Sequence, residues 1–103
     1  MIDEDAATAA ASSSHVPTLL AFVAKWSEPS RLMDAPLAEL AEEFDGRVLV
    51  NRIEAATGKG DVRAYDVTVV PSFVLLDADG TEVWRAEGAR PKPELKEALL
   101  ASL

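Results

Sequence analysis

The stretch Thr18-Leu19-Leu20-Ala21-Phe22-Val23-Ala24 is apolar at almost every position. A strand with one wet face alternates apolar and polar residues. A run that is apolar on both faces needs cover on both, as in the centre of a parallel sheet. This segment therefore reads as a strand buried on both sides.

The residues that follow supply the cover. Leu32, Met33, Leu37, Leu40, Ala41 and Phe44 recur at helical spacing, and Gly46 offers a helix stop. Pro36 lies inside this pattern and is expected to kink the helix. Residues 48–53 return to β-branched residues, so 18–53 reads as strand, long helix, strand: a right-handed crossover with parallel strands. Residues 58–66 read as a short helix or turn with Val62 and Tyr65 facing inward. Segments 73–76 and 81–86 flank Asp77-Ala78-Asp79-Gly80, which is a hairpin signature rather than a calcium loop, since the distal glutamate is missing. Pro91 and Pro93 open a last helix whose inner stripe is Leu95, Ala98, Leu99 and Ser102. This order predicts an α/β fold: a central mixed sheet of about four strands flanked by helices, occupying residues 18–103.

Residues 1–17 differ in composition. Asp3, Glu4 and Asp5 precede an alanine-rich stretch and then Ser12, Ser13 and Ser14. The segment reads either as a short helix over about 4–13, with acids at its positive end, or as disordered. An acidic start does not suit a signal peptide, and the expected location is cytoplasmic. The net charge of −8 disfavours nucleic acid and anionic membrane as partners. The chain has no cysteine, which removes disulfides and thiolate metal sites. No metal site and no cofactor are expected.

Several motifs now resemble the thioredoxin family. Trp26-Ser27-Glu28-Pro29-Ser30, after the buried strand, is similar to the active-site loop W-C-x-P-C, with serine at both cysteine positions. Val70-Pro71-Ser72-Phe73 resembles the cis-proline segment, and Phe22 to Trp26 the lead-in to the loop. Pro36 matches a helix-kinking proline, and Gly46, Tyr65, Gly80 and Gly88 fall at familiar positions. The resemblance covers about residues 18–103 and implies a thioredoxin-like fold. It places Ala21 where the family usually holds a buried aspartate, and Arg52 where a partner lysine stands.

Family chemistry needs a low-pKa thiolate and a resolving thiol. Ser27 and Ser30 keep the size and place of both and supply neither, so no catalytic residue is expected in the chain as it stands. A serine nucleophile needs a base, and the one histidine, His15, lies before the first strand. The resemblance then leaves a groove for an extended peptide, with Trp26, Glu28, Pro29, Val70, Pro71 and Ala89 as expected contacts. The leading expectation is a redox-inactive, monomeric protein that binds protein or peptide segments without a covalent step. The alternatives are a thiol–disulfide oxidoreductase whose two cysteines have been replaced by serine, and a purely structural module. Among charged residues, Glu39, Glu42, Glu43 and Asp45 are expected on a solvated helix face, and Arg31 is expected to offset Glu28 and Asp34. Trp84 is expected to be a packing or surface residue.

Overall fold

A computed structural model describes residues 15–103. The predicted helix or disorder over the first residues of the chain lies outside this range. Four strands form one sheet: β1 (Thr18–Val23), β2 (Leu49–Glu54), β3 (Ser72–Leu76) and β4 (Glu82–Glu87), in the order β2-β1-β3-β4. β1 pairs in parallel with β2 and antiparallel with β3, and β3 pairs antiparallel with β4. The sheet is therefore mixed, with the apolar run of β1 at its interior.

Alternation along β1 sends its side chains to two cores. Leu19 and Ala21 join Phe73, Leu75 and Ala86 on one face. Leu20 and Phe22 join Ile53, Val74 and Leu76 on the other. The first face is covered by α2 (Asp34–Glu43) and α4 (Lys92–Ala101), through Leu37, Leu40, Leu95 and Leu99, all fully buried. The second is covered by α3 (Lys59–Ala64) and the residues after it, where the Tyr65 ring meets Phe22 at a centroid distance of 6.1 Å.

The expected single long helix is two pieces. α1 (Glu28–Arg31) ends just before α2 begins, with Leu32 and Met33 in a turn between them. Pro36 explains the break. It has no N–H to offer the Leu32 carbonyl four residues back, and its ring crowds that carbonyl. The helix restarts with Leu37 N–H donating to the Met33 carbonyl at 2.9 Å, and Pro36 sits harmlessly in the first turn of α2. The kink expected at Pro36 is thus a full interruption just ahead of it.

The hairpin between β3 and β4 closes through side-chain chemistry. Asp77 Oδ1 accepts from the N–H groups of Asp79 at 2.9 Å and Thr81 at 3.0 Å. Gly80 takes φ +89°, a conformation that strains a residue carrying Cβ.

The acidic face of α2 is exposed as expected, and two of its acids are also ion-paired. Glu43 bonds Lys92 and lies 3.3 Å from Lys96, and Glu39 lies 3.1 Å from Lys92, so these acids tie α2 to α4. Glu39, Glu42, Glu43 and Asp45 are all exposed. The hydrogen bonds from Lys92 and then Lys96 hold the Glu43 carboxyl below its ordinary value of 4.5. A carboxylate with a lowered folded-state pKa stabilises the fold above its unfolded value, and the contribution vanishes as pH falls through the folded value. Glu43→Gln should therefore flatten the acid limb of the stability curve below pH 4.5, as followed by urea denaturation at several pH values. An unchanged limb would show that the cluster contributes nothing to the linkage.

Candidate functional site

The loop leaving β1 is built around two buried hydroxyls. Ser27 takes extended dihedrals (φ −95°, ψ 117°) at the N-cap of α1. Its Oγ accepts from the Ser30 N–H at 3.3 Å, satisfying one of the free donors of a helix start. Ser30 Oγ in turn accepts from the Ala24 N–H at 3.2 Å. Both side chains are buried, so the pair ties the end of β1 to the start of α1. Ser30→Ala leaves the buried Ala24 N–H without its acceptor and should cost about 1–3 kcal/mol of stability, measured by chemical denaturation. A loss within experimental error would mean that water replaces the hydroxyl.

Opposite this loop stands the Val70–Pro71 segment, whose peptide bond is cis. Two bonds frame it: Ser72 Oγ donates to the Val69 carbonyl at 2.8 Å, and Gly88 N–H donates to the Pro71 carbonyl at 2.7 Å. Val70 itself is left open. Neither its N–H nor its carbonyl has a hydrogen-bond partner among the described residues.

Trp26 and Val70 line one groove of about 290 Å³, together with Ala55, Val62, Val67, Thr68 and Val69. Trp26 is 74% exposed and Val69 is 44% exposed. A large aromatic ring left in water beside an apolar trough is the kind of feature that marks a contact surface. The other expected contacts lie differently. Pro71 is fully buried just ahead of β3, and its side chain does not line the groove. Glu28, Pro29 and Ala89 do not line the groove; all three are exposed. Glu28 stands 3.6 Å from Arg31. The walls contributed by Ala55, Val62 and residues 67–69 escaped the sequence reading. The apolar run Val67-Thr68-Val69-Val70 just before Pro71 was the available signal.

Beneath the loop, Ala21 is fully buried and pairs in register with Arg52. Arg52 does not turn toward it. Its guanidinium bonds Asp34 Oδ1 at 3.1 Å and the Asp34 carbonyl at 2.9 Å. Asp34 is therefore partnered by Arg52 rather than by the expected Arg31; the two hydrogen bonds from one planar fork favour Arg52. Trp84 is partly buried against the first core. Among the described residues, no group of three or more His, Asp or Glu is placed to hold a metal ion.

A mixed four-stranded sheet, helices on both faces, a capped loop after the central strand and a cis-proline opposite it define a thioredoxin-fold protein. The comparisons agree at the level of sequence. The family model described as Thioredoxin matches residues 2–101, and the chain belongs to the thioredoxin family. It is 26% identical to Thioredoxin 1 of Chlorobaculum tepidum, covering 87% of this chain and 88% of that protein. It is 32% identical to a thioredoxin of Haemophilus influenzae, covering 80% of this chain and 76% of that one. Among solved structures, a mutant thioredoxin from Halobacterium salinarum NRC-1 superposes with a TM-score of 0.80 at 27% identity, over 88% of this chain and 79% of that one.

Proposed function

We propose that this thioredoxin-family chain works by reversible recognition, binding an extended protein segment in the groove between its loop and the Val70–Pro71 segment. The observation that carries this reading is the open backbone of Val70 beside the exposed ring of Trp26. An extended segment that adds itself to a free backbone edge gains main-chain hydrogen bonds, and none of these needs a thiol. The aromatic ring supplies the apolar anchor. With hydroxyls at positions 27 and 30, no disulfide can form with the bound segment, so capture stays non-covalent and reversible.

An unfolded, thiol-blocked polypeptide tests this directly. Trp26→Ala should weaken its binding by more than tenfold, the loss of about 1.4 kcal/mol or more expected for an interface anchor. Trp84→Ala, outside the groove, should leave affinity within about twofold of the parent. Equal effects of the two substitutions, or none, would remove the groove from the account.

A second reading is favoured by one observation. Serine is the isostere of cysteine, and it stands at both positions where the family resemblance expects a thiol. On that reading the chain is a thiol–disulfide oxidoreductase whose cysteines have been exchanged. The source gene decides: serine codons at positions 27 and 30 support binding without redox chemistry, and cysteine codons support the second reading.

A further inference from the structure

Aspartate is followed directly by glycine twice in the chain, at Asp45-Gly46 and at Asp79-Gly80. Such a pair can close into a ring: the glycine backbone nitrogen attacks the aspartate side-chain carbon, and the missing Cβ leaves that nitrogen unshielded. In most respects the two sites match. Both glycines hold positive φ, +83° and +89°, and a Cβ added to either would meet nothing within 4 Å. Both aspartates are exposed.

They differ in what holds the attacking nitrogen. In the hairpin, Gly80 N–H donates to the Asp77 carbonyl at 2.9 Å. Asp77 Oδ1 accepts from Asp79 and Thr81 on either side, so the whole turn is pinned. Past the end of α2, Gly46 N–H has no hydrogen-bond partner among the described residues. Asp45 N–H makes one long bond, to the Glu42 carbonyl at 3.4 Å. Firm bonds resume only at Arg47 and Val48, which both donate to the Phe44 carbonyl. The Gly46 nitrogen therefore gives up no hydrogen bond in order to attack.

We propose that Asp45-Gly46 is a site of spontaneous backbone modification, converting to isoaspartate while Asp79-Gly80 stays intact. The Gly46 nitrogen bonds to Asp45 Cγ, and its proton leaves with the carboxyl hydroxyl as water. Water then opens the succinimide so formed. Addition at Cγ restores aspartate. Addition at the Asp45 main-chain carbonyl carbon routes the chain through Cβ and Cγ and leaves the former main-chain carbonyl as a free carboxylate. No oxidant, reductant or enzyme enters. The extra methylene falls between the buried Phe44 and Val48, beside a cavity of about 340 Å³ that Asp45 and Gly46 line with Ala41 and Leu49. It moves a carboxylate at the link between α2 and the edge strand β2.

The test ages the full chain in mildly acidic heavy-oxygen water, beside the same chain unfolded in guanidinium chloride. Trypsin places the two sites in separate peptides, 32–47 and 64–85. In the folded chain, 32–47 should gain a second chromatographic form that carries heavy oxygen and is β-linked at Asp45. Peptide 64–85 should convert roughly tenfold more slowly, because its nitrogen must first leave its hydrogen bond. In the unfolded chain both should convert at similar rates, so the contrast belongs to the fold. Asp45→Glu, an exposed substitution that would have to close a larger ring, should abolish the second form. Equal rates at the two sites in the folded chain, or an Asp45 that stays intact while the unfolded chain converts, would overturn the proposal.

Discussion

Oxidation of a Ser27→Cys, Ser30→Cys double variant should consume both thiols and join them in one disulfide. The geometry is already set for it. Position 27 caps α1 and position 30 lies one turn inside, and the two side chains share a buried space in which one Oγ touches the other residue's N–H at 3.3 Å. A thiol at the N-cap also meets the positive end of a helix and free N–H donors, which lower its pKa and favour the reactive thiolate. The parent chain has no thiol, so the change is from no redox couple to a complete one. The variant should carry a cost in its reduced form. Sulfur is a weak hydrogen-bond acceptor, so the Ala24 N–H and the α1 donor lose their oxygen partners. Thiol titration after oxidation checks the first expectation, and two free thiols per chain would contradict the placement of the loop.

Phe73→Ala should lower stability by about 3–5 kcal/mol, a substantial part of the roughly 5–15 kcal/mol that holds a domain folded. Phe73 is fully buried on β3, flanked by β1 and β4, in the core with Leu19, Leu37, Leu95 and Leu99. Helices α2 and α4 both pack over this core, so a cavity there is lined from several directions and collapses poorly. Trp26→Ala is the contrast: its ring is mostly in water, and its loss should move stability by no more than about 0.5 kcal/mol. Urea denaturation of both variants separates a residue kept for folding from one kept for contact. A Phe73→Ala loss below about 1 kcal/mol would mean that this core is loosely packed.

The parts of the fold that were legible in the sequence are those governed by local pattern. The unbroken apolar run of residues 18–24 announced an interior strand, and Asp77 to Gly80 announced the hairpin. The loop motif placed Ser27 and Ser30 at a helix start. What escaped depends on partners distant in sequence. The ion pairs of the exposed Glu39 and Glu43 were not legible because Lys92 and Lys96 stand far later in the chain, and only the packing of α4 on α2 joins them. Asp34 turned to Arg52 for the same reason: the crossover brings β2 beside the start of α2. The groove walls from Ala55 to Val69 come from the connection between β2 and β3; its short helix was legible, but the approach of its flanking residues to Trp26 was not. Pro71 was read as a contact from its motif, whereas its burial follows from where β3 enters the core.

On the proposed function, an extended segment pairs with the open backbone of Val70 without any thiol. Amide hydrogen exchange at Val70 measures this most directly, in the free chain and in the chain saturated with a thiol-blocked, unfolded polypeptide. The amide should exchange fast in the free chain and be markedly protected in the bound one, with protection lost in Trp26→Ala under the same conditions. Binding that leaves the Val70 amide as exposed as before would contradict that function.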